Sequence, residues 1–337
     1  MENELPQITY LFGAGASALK LPTIKGLPER IKIIKNFIDE NYNYDKDEIL
    51  TSGNFQINAI EAKKFVLDGF DKLYNASQNH STVDTYAKKL HLTQRSREVD
   101  ELIFILALYF NIEQKLVGND PRYDTFLISI LNSSARTFPK NLKFLSWNYD
   151  LQFEIAYHRL LESNGSILDF SRFNTNSDYW EKNQFTSIKI NGSCNVKEHG
   201  LYSLTENILS KESSNDDIAW AFQYGIHKIK NRNSSYPGYV NIDFAWDQGR
   251  DTLSKIAELH NETEILVVIG YSFPFFNRDV DRKIIRAMSK LKTIYIQDLN
   301  PSNIVTRFLS ILPDWQKKGI EIISVNTVDE FFLPPQL

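Results

Sequence analysis

The 337-residue sequence predicts an α/β fold: a parallel sheet with helices on both faces and a large helical insertion at about 30–140. Three observations predict it. An apolar run, Ile8 to Phe12, leads into Gly13-Ala14-Gly15-Ala16-Ser17-Ala18, with Gly at the first and third positions and Ala at the sixth. That spacing matches the strand–turn–helix fingerprint of dinucleotide-binding folds and makes the sheet Rossmann-like. Next, the chain from about 30 to 140 carries helical periodicity and almost no strand signal. Finally, the last third alternates strand and helix, the pattern of a parallel sheet covered on both sides.

Each element follows from local pattern. In the opening turn, the first Gly permits a tight bend and the second a close approach to a pyrophosphate. Ala18 is expected to let a helix pack close to the strand, its N-terminal amides facing an anion. Leu21-Pro22-Thr23-Ile24-Lys25-Gly26 reads as a loop. A helix is expected from near Pro28, with Ile31, Ile34, Phe37 and Ile38 on one face. Helices are expected at 56–76, 82–91, 95–117 and 122–135. The third is clearest, with Val99, Leu102, Ile103, Leu106 and Phe110 at helical spacing. Strands return at Leu142 to Trp147, near Ser187 to Ile190 and at Val240 to Phe244. Residues 165–185 and 195–217 read as polar, irregular surface connections. A helix at 249–260 precedes the nearly all-apolar run Ile265 to Gly270, typical of a central parallel strand. Helix 278–290, strand Thr293 to Gln297, helix 302–311 and strand Ile320 to Val325 complete the chain.

Composition bounds the function. Net charge is −4, which argues against bulk electrostatic binding of nucleic acid. One cysteine, Cys194, excludes an internal disulfide framework and a Cys-based zinc site, and no metal is expected. No run approaches the ~18 apolar residues of a membrane span. Met1 to Gln7 is acidic and polar rather than a signal peptide. The expected location is therefore cytoplasmic, away from the membrane. A dinucleotide-binding dehydrogenase would place a second strand ~20 residues after the Gly turn, and this chain inserts helices instead.

In a parallel sheet, ligands bind where loops leave the carboxyl ends of strands. Five such loops carry small or polar residues: Gly13 to Ser17, Ser146 to Asp150, Asn191-Gly192-Ser193, Gly270-Tyr271-Ser272-Phe273 and Asp298-Leu299-Asn300-Pro301. Taken alone, Asn148 and Asp150 read first as caps of the helix that starts near Leu151; beside the other strand-end motifs the ligand reading is preferred. Asp279 and Asp281 read as first-turn acids favoured by the helix dipole. None of the six histidines (His80, His91, His158, His199, His227, His260) has metal-ligand spacing, and His199 is a candidate substitute base. The basic run Lys228 to Arg232 reads as solvated surface or a partner contact.

Gly13-Ala14-Gly15-Ala16-Ser17, Trp147-Asn148-Tyr149-Asp150, Ile190-Asn191-Gly192-Ser193, Ile269-Gly270-Tyr271-Ser272-Phe273 and Leu299-Asn300-Pro301 occur in the order of the sirtuin-like (silent information regulator) family. The chain resembles that family over residues 8 to about 310, and most closely its bacterial anti-phage-defence branch. The resemblance implies a single sirtuin-like NAD-binding domain over 1–337. It also implies hydrolysis of NAD to ADP-ribose and nicotinamide, depleting the infected cell's NAD. By the same resemblance Gly13, Ala14, Gly15 and Ser17 hold the pyrophosphate and adjacent ribose. Pro22 belongs to the family's short Pro-containing segment beside the cofactor. Asn148 positions the nicotinamide ribose and attacking water, and Asp150 accepts from the carboxamide. Gly270, Tyr271 and Ser272 line the phosphate and adenosine-ribose side, and Asn300 reaches the adenosine ribose. Branch relatives act in oligomers or with a partner protein, a nucleic-acid sensor or an ATPase. The helical insertion is expected to cover the cofactor and supply that surface.

Two departures stand out. The four zinc cysteines of sirtuin deacetylases are absent, which disfavours peptide deacetylation. The family's catalytic His is replaced by Asn191, whose amide is no general base near neutral pH. Three readings follow. The chain hydrolyses NAD by positioning, forgoing a base term worth about 100 to 10,000-fold. Alternatively, it is a catalytically silent NAD- or ADP-ribose-binding regulatory or assembly subunit. Or Asn191 is an engineered change that traps ligand.

Overall fold

The computed structural model describes residues 5–43, 49–52, 55–132, 138–161, 186–196, 204–209, 214–230, 240–246 and 250–337. The chain divides into two compact units. Unit 1 comprises Met1–Leu19, Asn119–Gly192 and Asp243–Leu337; unit 2 comprises Lys20–Gly118 and Ser193–Ile242.

Unit 1 is the α/β body. Its strands in chain order are β1 (Ile8–Phe12), β4 (Leu142–Ser146), β5 (Thr186–Lys189), β8 (Ile265–Ile269), β9 (Thr293–Gln297) and β10 (Glu321–Val325). The remaining strands form two two-stranded sheets described below. The six strands form one sheet in the order β10-β9-β8-β1-β4-β5, every pair parallel. Counted along the sheet's own strands this is 3-2-1-4-5-6, the doubly wound Rossmann order. Two chain directions diverge between β1 and β8, where Phe12 lies beside Ile269. That pair marks the topological switch point.

Side chains alternate across the sheet, as the pleat requires. Tyr10, Phe12, Phe144, Val267 and Tyr295 face α5 (Pro121–Ile130), α6 (Gln152–Leu160) and Phe331. Leu11, Leu145, Val268 and Ile296 face α9 (Arg250–Leu259), α10 (Arg278–Ala287) and α11 (Pro301–Leu309). The C-terminal segment joins the first layer: Gln297 donates to Thr327 O and Glu330 O at 2.6 Å each and accepts from Phe332 N at 3.0 Å. A short α12 (Asp314–Lys317) precedes β10.

Unit 2 is mainly helical, with α1 (Leu27–Asn41), α2 (Ala59–Asn79), α3 (Val83–Leu92), α4 (Ser96–Val117), α7 (Leu204–Leu209) and α8 (Asn215–Lys230). Pro28 sits in the first turn of α1, Asn58 caps α2 and Thr82 caps α3. The sequence places its helical insertion at about 30–140; α5, inside that span, belongs to unit 1, and residues 193–242 join unit 2.

Three local expectations fail. Residues read as lacking strand form a hairpin, β2 (Ile49–Ser52) with β3 (Phe55–Asn58). The span read as irregular at 195–217 contains α7, the start of α8 and the end of β6 (Gly192–Val196), which pairs with β7 (Val240–Ile242). In both places short strands and helices draw their stability from tertiary packing rather than from a long apolar pattern. The third failure, in the Gly turn, is taken up with the site. Residues 165–185, His199 and Asn231-Arg232 lie outside the described residues. No helix among the described residues is long and apolar enough to cross a membrane.

Candidate site at the switch point of the sheet

The loops after β1 and β8 interlock. Gly13 N donates to Ile269 O at 3.0 Å, and Gly15 N to Gly270 O at 2.9 Å. A Cβ on Gly13 would lie 2.6 Å from Gly270 O, and one on Gly15 would lie 2.6 Å from Gly270 Cα. Gly270 has φ +60, and a Cβ there would meet Gly15 Cα at 2.4 Å. The three glycines are therefore needed for backbone to touch backbone.

The turn also differs from the dinucleotide fingerprint. Ala14–Ser17 forms one 3-10 turn, and the next helix starts only at Leu27. The expected helix N-terminus is not built here, because the chain leaves for unit 2 after Leu19. Ala16, not Ala18, is the small buried residue; Ala18 is exposed.

Ser17 is the hub of a buried polar cluster. Its Oγ donates to Asp150 Oδ2 at 3.1 Å. That uses its one proton, so Tyr123 Oη, 3.1 Å away, is left to donate to Ser17. Asp150 Oδ1 accepts from Gln152 N, at the first residue of α6, at 3.1 Å. Asp150 is 5% exposed, and burial pushes its carboxyl up, opposed by the Lys189 ammonium and by these hydrogen bonds. Burial and the Asp150 charge drive the Tyr123 hydroxyl well up. Asn148 Nδ2 donates to Gly13 O at 2.9 Å, tying the end of β4 to the end of β1. Asn191, buried after β5, makes a long 3.5 Å bond from Nδ2 to Tyr149 Oη, and its carbonyl accepts from Asp243 N at 2.9 Å.

Gly13, Gly15, Ser17, Asn148, Asp150, Asn191 and Gly270 are thus linked, directly or through Tyr149, at adjoining strand ends. The other candidates stand apart from that linkage. Ala14 is exposed on the turn. Tyr271 points into the core, stacked on Trp147 at 5.6 Å, and its hydroxyl donates to Asp281 Oδ1 and Oδ2 at 3.0 and 2.9 Å. Its backbone alone is left for a ligand. Ser272 is exposed, with its carbonyl held by Arg307 Nη1 at 3.1 Å. Asn300 is exposed at the start of α11, two strands or about 10 Å from β1. Pro22 lies in unit 2.

Several contributors were not legible in the sequence. Arg122 donates from Nη2 to Gly15 O (3.2 Å) and Ala16 O (3.0 Å) while its Nε and Nη2 clasp Asp120 at 3.0 and 2.7 Å. Its Nη1 reaches Val328 O at 3.1 Å. This buried, fully bonded pair shapes the Gly turn. Asp120-Pro121 was a readable helix start, but nothing local signals what Arg122 holds. Lys189 closes β5, Thr186-Ser187-Ile188-Lys189, and nothing local signals what its side chain holds. Asp281 is a first-turn acid of α10, as expected, but it is 2% exposed, and burial pushes it up to about 8. His260 is buried against Thr9 Oγ1 (3.2 Å) and is pushed down to about 3, hence neutral and far from base duty. Among the described residues no group of three or more His, Cys, Asp or Glu side chains is arranged to hold a metal.

Fold and site together define a doubly wound α/β protein with a polar cluster at its switch point. No protein-family model and no curated protein sequence matches the chain.

Proposed function

We propose that unit 1 binds NAD in the sirtuin-like manner and that the chain hydrolyses it to ADP-ribose and nicotinamide, as a cytoplasmic NAD-depleting component of bacterial anti-phage defence. The observation that carries the reading is the bonding of Ser17 to Asp150 and of Asn148 to Gly13, which joins two of the five motifs at the switch point. A buried carboxylate, two side-chain amides and a hydroxyl suit a ligand that is neutral and hydrogen-bonding at one end. In this reading the Gly13–Ser17 turn, with Gly270 behind it, receives the pyrophosphate. Asp150 orients the carboxamide. Asn148 holds the nicotinamide ribose and a water. Catalysis rests on positioning and on stabilising positive charge at the ribose carbon as nicotinamide leaves.

The second reading is a binding subunit without turnover. It is favoured by Asn191, whose amide at the third motif faces Tyr149 Oη and supplies no base. In either reading self-association or a nucleic-acid-sensing or ATPase partner completes the assembly. Purified protein incubated with NAD, with nicotinamide and ADP-ribose followed over hours and NAD binding by calorimetry, separates the two. Binding with product supports hydrolysis, binding without product supports the silent subunit, and neither overturns the NAD assignment.

A further inference from the structure

Lys189 ends β5, the edge strand of the sheet, yet its side chain is largely buried, 12% exposed. Its ammonium donates to Asp150 O and, at 3.4 Å, to Asn148 O, the carbonyls on either side of Tyr149. It also sits 3.3 Å from Glu154 Oε1 in the first turn of α6. A lysine has three donors, and here three acceptors converge on them. Glu154 is 2% exposed, and its Oε2 has no hydrogen-bond partner. A buried glutamate so poorly served has little to offer stability on its own. Its place is explained if it holds the ammonium over the Asn148–Asp150 turn.

We infer that Lys189, steered by Glu154, is a positioning residue that clamps the Asn148-Tyr149-Asp150 turn by its carbonyls and so fixes where the Asp150 carboxyl stands for ligand recognition. The inference rests on the NAD reading for the ligand alone; the clamp itself is independent of it. The groups facing Asp150 are Lys189 on β5, Glu154 on α6, Tyr123 on α5, Ser17 on the Gly turn and Asp120, which Arg122 balances. Of these, Lys189 is the cation that lowers the Asp150 carboxyl, so its removal moves that carboxyl further up.

Removing Lys189 alone strands two buried carboxyls and risks unfolding. The test therefore uses Lys189→Met/Glu154→Gln, which removes the Lys189–Glu154 ion pair as a unit, beside Glu154→Gln and Lys189→Arg. Two readouts are needed, on folded full-length chain. Hydrogen exchange over residues 148–152 needs no ligand. NAD affinity from pH 5 to 8 reports on Asp150. The expected result for the double variant is faster exchange confined to 148–152, about tenfold weaker NAD binding and an acidic limb displaced to higher pH. Lys189→Arg, retaining a cation, should recover part of each. If the double variant matches the parent in exchange and in pH profile, Lys189 is only a structural pair with Glu154 and the inference falls. If the parent itself binds no NAD, the NAD reading fails, and the exchange data still decide the clamp.

Discussion

Replacing Gly270 by alanine tests the architecture of the switch point most directly. The new Cβ would be 2.4 Å from Gly15 C and Cα and 2.5 Å from Ala16 N. Comfortable carbon contacts lie near 3.5–4.0 Å, so one backbone must retreat by roughly 1 Å. Neither can retreat freely. Gly270 N is bonded to Gln297 O at 3.0 Å, Gly270 O to Gly15 N at 2.9 Å, and Arg122 grips Gly15 O and Ala16 O from the other side. A left-handed φ on a residue with a Cβ costs about 1–2 kcal/mol. Overpacking adds about 1–3 kcal/mol. Together they amount to about 2–5 kcal/mol, a large share of a typical domain's stability. Two controls separate the terms. Gly118 has φ +74 and ψ −162 and no atom within 4 Å of a built Cβ, so Gly118→Ala carries backbone strain of about 1–3 kcal/mol without a clash. Gly319 lacks both liabilities, and Gly319→Ala should be neutral or stabilise by about 0.4–1 kcal/mol. Urea unfolding followed by near-UV circular dichroism should rank the midpoints Gly319→Ala, Gly118→Ala, Gly270→Ala in falling order. A Gly270 variant no less stable than the Gly118 variant would refute the loop–loop contact.

Asp281 makes stability pH-dependent. Its folded carboxyl titrates at about 8 against 3.8 unfolded, so its contribution is whole below 3.8 and is lost as pH rises through about 8. The slope it adds between is about −1.4 kcal/mol per pH unit. Asp281→Asn, which still accepts from Tyr271, should flatten urea midpoints between pH 5 and 8; an unchanged slope would count against a neutral buried Asp281. Arg122→Met leaves Asp120 buried without its cation and should cost about 3–5 kcal/mol in unfolding free energy. Adding Asp120→Asn should recover part of that loss, and a double variant as unstable as the single would contradict the pairing. Under the hydrolase reading, Asn191→His should raise nicotinamide release about 100 to 10,000-fold, and adding Asn148→Ala should abolish the gain. No gain from the histidine in a chain that binds NAD would favour the silent subunit.

Much of the fold was legible because its cues are local. Ile265–Ile269 is uniformly apolar since a central parallel strand is covered on both faces. Pro28 and Pro121 mark helix starts because the ring fits the first turn. The β2–β3 hairpin was missed although Ser52-Gly53-Asn54-Phe55 carries a turn signature, because its strands are four residues each and alternate weakly. α8 is absent from the sequence reading, since Ile218, Phe222, Ile226 and Ile229 line up only once a helix is assumed.

The sequence by itself determined the strands of the parallel sheet and most of the helices, which side chains of each strand pair by face, and that polar motifs stand at strand ends. The tertiary structure alone decided that β8, 253 residues after Phe12 at Ile265, lies beside β1, and so that Gly270 meets Gly15. It alone brought Arg122 to the Gly turn, Lys189 to the Asn148–Asp150 carbonyls and Tyr271 to Asp281. Local pattern follows from the periodicity of a short segment, which its own residues display. Strand order and buried polar partners follow from how crossovers close the whole sheet, and no short stretch of residues contains that information.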